Sequence, residues 1–341
     1  MHLSPEYGMT VNEIEADGFK VDRRIASLVE GGDSKATVLS MAKLQEGLAD
    51  AFQQLSPDMV VILGDRYEAL AAAQAAVVFN IPVAHLHGGE ITQGAIDDAF
   101  RNAITKLSTF HFASTPQYAE RIISMGEERE NVFHSGAPGA EATETEEDVE
   151  LAGKFHEKTG LWPGESFIIL AFHPVTLASD KGLSELESTL AALDVFISKG
   201  YKVLVTMPNS DPGTTMIVDM LQEWISKNAG MVISVKSLGS RLFHYAMDHA
   251  EAIIGNSSAA LIEAPSYRLP AVNVGMRQKG RACGVTVVNT SGEKEKIEKA
   301  LEWALSFEMK VVMMGMPVSG LNPYYKPDSA SFIAQKLIEI S

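Results

Sequence analysis

Cysteine is almost absent from this sequence, since Cys283 is the only one among 341 residues. A single thiol cannot close a disulfide within the chain, and it cannot supply a metal site built from several cysteines. Low cysteine usage is typical of proteins that work in a reducing compartment, so we expect a cytoplasmic protein.

Basic residues are also scarce, with 28 Lys and Arg against 44 Asp and Glu and a formal net charge of -16 at pH 7. Such an acidic surface repels phosphate backbones, so we expect no nucleic-acid partner. One small anionic ligand remains compatible with this charge, because a few Arg side chains and helix N-termini can reverse the local field.

Long apolar runs are missing as well. The apolar stretches are too short to cross a bilayer, and residues 1–10 are polar, without the apolar centre of a signal peptide. We therefore expect no membrane partner. Hydrophobic residues make up 46% and charged residues 21%, which is the balance of a globular protein with a core.

Short apolar runs alternate with longer amphipathic stretches, which is the pattern of βα units on a parallel sheet. The predicted strands cover residues 59–63, 82–86, 110–113, 132–134, 167–171, 202–206, 232–235, 252–254 and 271–274. The predicted helices cover residues 68–79, 97–106, 116–125, 182–199, 214–227 and 329–340. The sequence thus predicts an α/β protein.

Residues 138–165 interrupt this pattern with an acidic stretch at 141–148 and a turn at 162–164, so we place a domain border there. The length also favours two domains. We expect one Rossmann-like domain over 1–150 and a nucleotide-binding one over 151–322. Two doubly wound domains would bind ligands in a cleft at the ends of their strands.

The start of the chain departs from a doubly wound domain, which usually begins with a buried strand and a tight turn. Here residues 2–8 look like a loop, and the first convincing strand lies near residue 59. We therefore expect the first domain to be short by one or two βα units.

An acid and a base, Asp65 and Arg66, follow the first predicted strand, and could position a sugar and a phosphate there. A helix N-cap beside a solvated arginine explains them equally well. Asp97 and Arg101 lie four residues apart at a predicted helix start, as neighbours on one face. Alone they are typical of a surface ion pair, but beside other acidic clusters at strand ends they favour a catalytic carboxylate.

Two histidines and a glutamate end the second predicted strand, as His85-Leu86-His87-Gly88-Gly89-Glu90. In an extended strand His85 and His87 point to the same face, and Gly88 and Gly89 let the backbone approach a ligand. Three titratable side chains suit proton transfer. A shared metal is a weak alternative, because no further ligand completes the shell, and a buried histidine pair bonded to backbone is another.

Polar residues also follow the strands of the second domain. His173 follows the strand at 167–171, where a satisfied core histidine is the alternative interpretation. The segment 255–258, Gly-Asn-Ser-Ser, ends a strand and opens a helix, which makes a phosphate cradle or simply a good N-cap. Glu263 could then accept hydrogen bonds from ribose hydroxyls, and the cations of loop 275–281 could face the diphosphate or the base.

Together these segments resemble the hydrolysing UDP-N-acetylglucosamine 2-epimerase family of the bacterial sialic-acid and legionaminic-acid type. The resemblance covers nearly the whole chain in the right order. It rests on MHLSPEYG at 1–8, GDRYEALA at 64–71, HLHGGE at 85–90, IDDAFRNAITK at 96–106, FHPVT at 172–176, PNSD at 208–211, GNSS at 255–258 and GMRQKGR at 275–281.

This resemblance implies a GT-B-like fold of two Rossmann-type domains with a cleft between them, and with residues 323–341 crossing back to the first domain. It also implies that a base removes the C2 proton as UDP leaves C1 in an anti elimination. Water then adds at C1 while C2 is reprotonated from the other face. The products would be UDP and free N-acetylmannosamine or a close analogue, with no metal and no cofactor.

The resemblance also assigns roles by position. The acid–base candidates are Asp65, Glu90, Asp97 and His173. The substrate-binding candidates are Arg66, His85, His87, Asp98, Arg101, Asn209, Asn256, Ser257, Ser258, Glu263, Arg277, Gln278 and Arg281. Among these the two serines would hold the diphosphate, Glu263 the ribose and Arg277 the nucleotide. The family implies a homodimer or higher homo-oligomer, for which the apolar helix face at 70–78 is one candidate.

Two positions depart from the family pattern. Some relatives carry Glu where this chain has His87, and relatives place a strand and a Gly-Thr-Arg phosphate loop before the segment matching residues 1–8. We therefore predict that residues 1–341 alone fold poorly or turn over slowly. Normal turnover of UDP-N-acetylglucosamine would contradict this prediction.

Three other functions remain open at this stage. A non-hydrolysing 2-epimerase shares the first half-reaction but returns a UDP-sugar. A GT-B glycosyltransferase needs fewer proton-transfer groups than the acidic clusters at 65, 90 and 97–98 provide. An inactive UDP-sugar binder would bind UDP without releasing it from substrate. The sequence does not distinguish N-acetylglucosamine from a 2,4-diacetamido-6-deoxy sugar.

Overall fold

The computed structural model describes residues 1–141, 149–162 and 164–340, so residues 142–148 and Pro163 of the predicted border at 138–165 lie outside the described residues. The chain divides into two compact units. We call Val21–Glu141 with Tyr324–Ser341 the four-stranded unit, and Met1–Lys20 with Ala142–Pro323 the six-stranded unit. In the described ranges, no helix is both long and apolar enough to span a membrane.

Ten strands and fourteen α-helices make up the described chain. The strands are β1 (Val60–Leu63), β2 (Val83–Leu86), β3 (Phe110–Ala113), β4 (Val132–His134), β5 (Phe167–Ala171), β6 (Lys202–Thr206), β7 (Val232–Val235), β8 (Ala252–Gly255), β9 (Ala271–Val274) and β10 (Val287–Thr290). The helices are α1 (Val11–Ala16), α2 (Ser34–Leu55), α3 (Tyr67–Val78), α4 (Asp97–Leu107), α5 (Pro116–Ser124), α6 (Val149–Thr159), α7 (Leu183–Ser198), α8 (Thr214–Lys227), α9 (Gly239–His249), α10 (Ala259–Ile262), α11 (Lys294–Ala304), α12 (Phe307–Gly315), α13 (Val318–Leu321) and α14 (Ser329–Ile340).

The four-stranded unit has a parallel sheet in the order β1-β2-β3-β4. Because side chains alternate between the two faces of a strand, β2 contributes to two cores. Val83 packs with Ile62 and Ile104 beneath α2, α3 and α4. Leu86 packs on the opposite face with Ile333 of α14. Both faces of this sheet are therefore covered, as parallel sheets require.

The last helix, α14, belongs to the four-stranded unit although it ends the chain. Besides its apolar contact with the sheet, Glu141 accepts hydrogen bonds from the backbone N–H groups of Ser329 at 2.6 Å and Ala330 at 3.2 Å. A carboxylate at a helix N-terminus satisfies the otherwise free N–H groups of the first turn. This contact fixes the point at which the chain enters the helix.

The six-stranded unit has a parallel sheet in the order β10-β9-β8-β5-β6-β7. The chain starts in the middle with β5, adds β6 and β7 on one side, and then adds β8, β9 and β10 on the other. Its direction therefore reverses between β5 and β8. Ligands bind at such a switch point in doubly wound sheets, beyond the carboxyl ends of the strands.

The first segment, Met1–Lys20, groups with the six-stranded unit. Lys236 Nζ donates to the carbonyl of Pro5 at 3.2 Å. Gly239, which opens α9, packs so closely on the carboxylate of Glu13 that an added Cβ would lie 2.4 Å from Glu13 Oε2. The structural division thus differs at this segment from the predicted domain over 1–150.

The predicted α/β class is confirmed, and the nine predicted strands all occur. Strand β10 was not predicted, and neither were several helices, of which α2 is the longest. Helix α2 has a clear start, because Asp33 Oδ1 accepts the N–H of Ala36 at 2.7 Å as an N-cap. Strand β10 is an edge strand with only one neighbour, so its sequence lacks the continuous apolar run of the central strands.

Candidate functional site

Arg101 holds two carboxylates in the four-stranded unit. Its side chain is 1% exposed and pairs with Asp65 and, at 3.2 Å, with Asp98. It also donates to the backbone oxygen of Glu90 at 3.0 Å and to Thr92 Oγ1 at 2.8 Å. A buried guanidinium is stable only with such a set of acceptors. The structure thus brings four predicted site residues together.

Asp65 reaches this cluster through a turn that His85 supports. Gly64 has a φ of +80°, and its carbonyl lies 2.8 Å from His85 Nε2. Since a carbonyl only accepts, that nitrogen carries the proton. His85 has no exposed surface, and burial lowers its pKa to about 4. His85 is therefore a neutral histidine bonded to backbone, which is the alternative interpretation raised from the sequence.

His87 leaves the strand that contains His85. Strand β2 ends at Leu86, and His87 has a left-handed φ of +65°. The prediction that the two histidines share one face of an extended strand is therefore wrong. The left-handed turn places His87 Nδ1 2.7 Å from Glu90 Oε1. Glu90 is 1% exposed, and Ser114 Oγ donates to the same oxygen at 2.6 Å.

The two glycines between His87 and Glu90 have a packing role. Gly89 has a φ of +75°, and an added Cβ would lie 2.6 Å from the carbonyl oxygen of Tyr118 in α5. An added Cβ at Gly88 would lie 3.0 Å from the ring of His85. The close approach that the sequence assigned to a ligand is made here by the protein itself.

Two other predicted residues lie near the surface, at the starts of the helices α3 and α4. Asp97 occupies the first turn of α4, where a carboxylate interacts favourably with the helix dipole. Arg66 precedes α3, donates to Glu68 at 3.2 Å, and lies with its guanidinium 5.4 Å from the ring centroid of Tyr67. Both side chains are partly exposed, so a ligand can reach them.

In the six-stranded unit, Asn256 joins the loops that follow β5 and β8. Its Oδ1 accepts the backbone N–H of His173 at 2.7 Å, and its Nδ2 donates to the carbonyl of His173 at 2.8 Å. Asn256 has no exposed surface. Its side chain therefore holds His173 at the switch point rather than presenting itself to a ligand.

The backbone of Asn256 also fixes the loop that follows β9. Its carbonyl accepts from Gln278 Nε2 at 2.8 Å and from Arg277 Nη1 at 3.2 Å. Arg277 Nε donates to the carbonyl of Pro174 at 3.3 Å. Three loops with predicted site residues thus meet at one buried asparagine.

The serines and the glutamate of the predicted nucleotide site follow this asparagine. Ser257 is 9% exposed, with its Oγ 3.4 Å from the N–H of Ala259, and Ser258 is partly exposed. Glu263 Oε2 lies 3.0 Å from His244 Nε2. Asn209 and Arg281 are half-buried in the loops after β6 and β9. These residues all stay candidates for binding a nucleotide.

Several residues of these clusters were missed from the sequence. Ser114, Thr92 and Arg121 support the four-stranded cluster, and His244 and Glu185 support the six-stranded one. Glu185 accepts the N–H of Met276 beside Gly275, and burial raises the pKa of its carboxyl group. Ser114 follows a predicted strand directly, so the position rule used for Asp65 would have found it.

Known proteins with similar sequences point to one enzyme family. A family model described as UDP-N-acetylglucosamine 2-epimerase matches residues 1–338. The GDP/UDP-N,N'-diacetylbacillosamine 2-epimerase (hydrolyzing) of Campylobacter jejuni is 35% identical over 314 residues, which cover 91% of this chain and 79% of that protein. The UDP-N,N'-diacetylbacillosamine 2-epimerase (hydrolyzing) of Legionella pneumophila is 35% identical over 306 residues, covering 90% and 79%.

A solved structure shows the same fold. The UDP-GlcNAc 2-epimerase from Neisseria meningitidis bound to UDP-GlcNAc matches with a TM-score of 0.80 at 17% identity, covering 97% of this chain and 89% of that one. The predicted GT-B-like fold of two parallel α/β domains is thereby confirmed.

Proposed function

The chain belongs to the UDP-N-acetylglucosamine 2-epimerase family, and we propose that it is a hydrolysing 2-epimerase of a UDP-linked 2-acetamido sugar. The reaction consumes water and releases UDP and the free sugar epimerised at C2. The observation that carries the proposal is the buried cluster in which Arg101 binds Asp65, Asp98 and the backbone of Glu90. It places several acid–base groups at neighbouring strand ends.

Proton transfer at C2 is the task we assign to the four-stranded unit. One group removes the C2 proton as UDP leaves C1, and a proton returns to the other face of C2 as water adds at C1. Asp65 is already engaged by the guanidinium of Arg101, which is always charged and holds the carboxylate in place. We therefore assign it to orienting the sugar, and take Glu90 and Asp97 as the remaining carboxylate candidates.

Departure of UDP is the task we assign to the six-stranded unit. Breaking the C1–oxygen bond leaves negative charge on the diphosphate, which fixed donors stabilise in the transition state. Ser257, Ser258 and Arg277 are the proposed donors, and Glu263 is the proposed ribose ligand. His173, whose backbone is fixed by Asn256, is the proposed proton donor to the leaving diphosphate.

The sugar is the finer part of the proposal. We propose UDP-N,N'-diacetylbacillosamine as the substrate, because two enzymes 35% identical to this chain carry that sugar in their names. UDP-N-acetylglucosamine is the alternative. A cytoplasmic homo-oligomer remains our expectation, and analytical ultracentrifugation measures the oligomeric state.

Product analysis tests the activity. The purified chain is incubated with each UDP-sugar in deuterium oxide, and the products are identified by phosphorus NMR and mass spectrometry. We expect UDP and a free sugar that carries one deuterium at C2. A deuterated UDP-sugar would identify a non-hydrolysing epimerase. Transfer with C2 hydrogen retained would identify a glycosyltransferase, and UDP binding without turnover an inactive binder.

A further inference from the structure

His87 and Glu90 form a hydrogen-bonded pair in which the carboxylate is the inner partner. Glu90 is 1% exposed, whereas the side chain of His87 keeps 13% of its surface exposed. Nδ1 of His87 is hydrogen-bonded to Glu90 Oε1 at 2.7 Å. Within the described part of the chain, Nε2 of His87 has no hydrogen-bond partner. The histidine is thus the member of the pair that a ligand can touch.

We propose that His87 Nε2 is the atom that exchanges a proton with the substrate, and that Glu90 is the residue that positions His87. This inference rests on the proposed function and reverses the roles that the family resemblance gave these two residues. Ser114, which the sequence analysis missed, is the positioning residue for Glu90.

The geometry gives each member a chemical task. A carboxylate accepts the proton on Nδ1, which leaves the lone pair on Nε2 free to take a proton from carbon or to return one. When Nε2 is protonated, the same carboxylate stabilises the imidazolium. This is the arrangement of hydrogen bonds by which carboxylates orient catalytic histidines on unrelated folds.

The surroundings fix the pair in place. Ser114 Oγ donates to Glu90 Oε1 at 2.6 Å, and the carbonyl of Glu90 accepts from Arg101 at 3.0 Å and Arg121 at 2.6 Å. His85 also interacts electrostatically with both Glu90 and His87, and burial lowers its pKa to about 4. The backbone of Glu90 is therefore fixed by two guanidinium groups, and its carboxylate is oriented by Ser114 and His87.

The backbone of His87 also indicates a specific orientation. Its φ of +65° is uncommon for a residue with a side chain, although histidine is among the types that tolerate it. An extended residue here would continue β2 and direct the ring away from Glu90. Strained positions of this kind persist where the surrounding structure enforces them, often at functional sites.

Substitution kinetics test the pair. His87→Gly suits the left-handed backbone, so we expect it to fold and to lose about 100-fold or more in kcat, with little change in KM. Imidazole added to the solution should restore part of the activity of this variant. Glu90→Gln and Ser114→Ala should also lose kcat, by about 100-fold and about 5-fold, and imidazole should not restore either.

A buried serine on the neighbouring strand end provides the matched control. Ser135 is 1% exposed, and its Oγ donates to the backbone oxygens of Ala113 and Gly136 rather than to Glu90. Ser135→Ala should keep kcat within about twofold of the parent. If the kcat of His87→Gly stays within about threefold of that of the parent, and imidazole does not change it, the proposal is overturned.

Nitrogen NMR of labelled histidine tests the same pair without turnover, with the His87→Gly spectrum used for assignment. We expect the neutral ring of His87 to carry its proton on Nδ1 in the parent and to lose this preference in Glu90→Gln. A proton on Nε2 in the parent would refute the pairing even if the enzyme is active. Conversely, failure of the parent to release UDP would refute the proposed function and leave this result standing.

Discussion

The side-chain amide of Asn256 makes two hydrogen bonds to the backbone of His173. Its oxygen accepts the N–H of His173, and its nitrogen donates to the carbonyl of His173. The parallel ladder between β5 and β8 ends at the pair Ala171 and Gly255. Asn256 therefore continues the pairing of the two chain segments past the last backbone bond, with a side chain in place of a strand. This contact holds together the segments that follow β5 and β8 at the switch point of the sheet.

Asn256→Asp should break one half of this contact. A carboxylate still accepts the N–H of His173 but cannot donate to its carbonyl, so two oxygens would face each other in a buried site. We expect a loss of about 2–4 kcal/mol in the free energy of unfolding and a drop of about 10-fold or more in kcat/KM. Urea denaturation and UDP release measure the two effects.

Asn80→Asp is the matched control, because Asn80 is exposed in the turn after α3. This variant should change the free energy of unfolding by no more than about 0.5 kcal/mol, and kcat/KM by no more than about twofold. Equal effects at positions 80 and 256 would show that the contact with His173 contributes nothing.

The sequence was sufficient to predict the parallel sheets, because buried strands such as β5 are continuous apolar runs with turn residues at each end. It was also sufficient to predict candidate residues after those strands and at the start of α4, and four of them, Asp65, Glu90, Asp98 and Arg101, meet in one cluster. Periodicity and strand-end position carry this information because both depend on local sequence.

The orientation of individual side chains was not predictable in the same way. His85 and His87 are two residues apart, yet one is buried against Gly64 and the other turns to Glu90, because His87 adopts a left-handed backbone. The partner of Glu90, Ser114, comes from a different strand. Contacts between distant segments depend on the register of the sheet, which local patterns do not contain.

Arg101→Lys should destabilise the four-stranded unit strongly. An ammonium group has a single point of charge and cannot reach Asp65, Asp98 and two further oxygens at once, so at least one buried acceptor loses its donor. We expect a loss of about 3–5 kcal/mol in the free energy of unfolding. Thermal and urea denaturation of the purified variant measure it.

Arg129→Lys is the control for the chemical change alone. Arg129 makes two hydrogen bonds to Glu120, at 2.8 and 3.0 Å, with both side chains exposed. Exposed pairs contribute little, so the variant should stay within about 1 kcal/mol of the parent. If both variants behave alike, Arg101 does not organise the cluster.

Gly255→Ala should be severely destabilising. The glycine has a φ of +136°, and an added Cβ would lie 2.1 Å from the backbone oxygen of Ala171, which cannot move without breaking the β5 ladder. We expect a loss of more than about 3 kcal/mol, by overpacking and backbone strain together. The urea midpoint of the variant measures the loss.

Gly230→Ala is the control that measures the cost of backbone strain without overpacking. Gly230 also has a positive φ, of +89°, but an added Cβ would meet nothing within 4 Å. This variant should lose about 1 kcal/mol, from the left-handed backbone alone. A smaller loss at position 255 than at position 230 would contradict the close approach of the two strands.

His85 should make the stability of the protein depend on pH. Its pKa is lowered from 6.5 to about 4, chiefly by burial. Between these two pH values the unfolded chain binds a proton that the folded chain does not, so stability falls as the pH is lowered from 6.5 toward 4. A shift of this size corresponds to about 3 kcal/mol at the acid end of the window.

His85→Gln removes the titration while its side-chain amide can still donate to the carbonyl of Gly64. The free energy of unfolding of the parent should therefore fall relative to that of the variant as the pH decreases through this window. His2→Gln, at an exposed position, is the control, and it should follow the parent at every pH. Parallel curves for the parent and His85→Gln would show that His85 takes up its proton in the folded protein as easily as in the unfolded chain. In that case the imidazole could not be the neutral support of the Asp65 turn, and the rigidity of the Arg101 cluster would need another source.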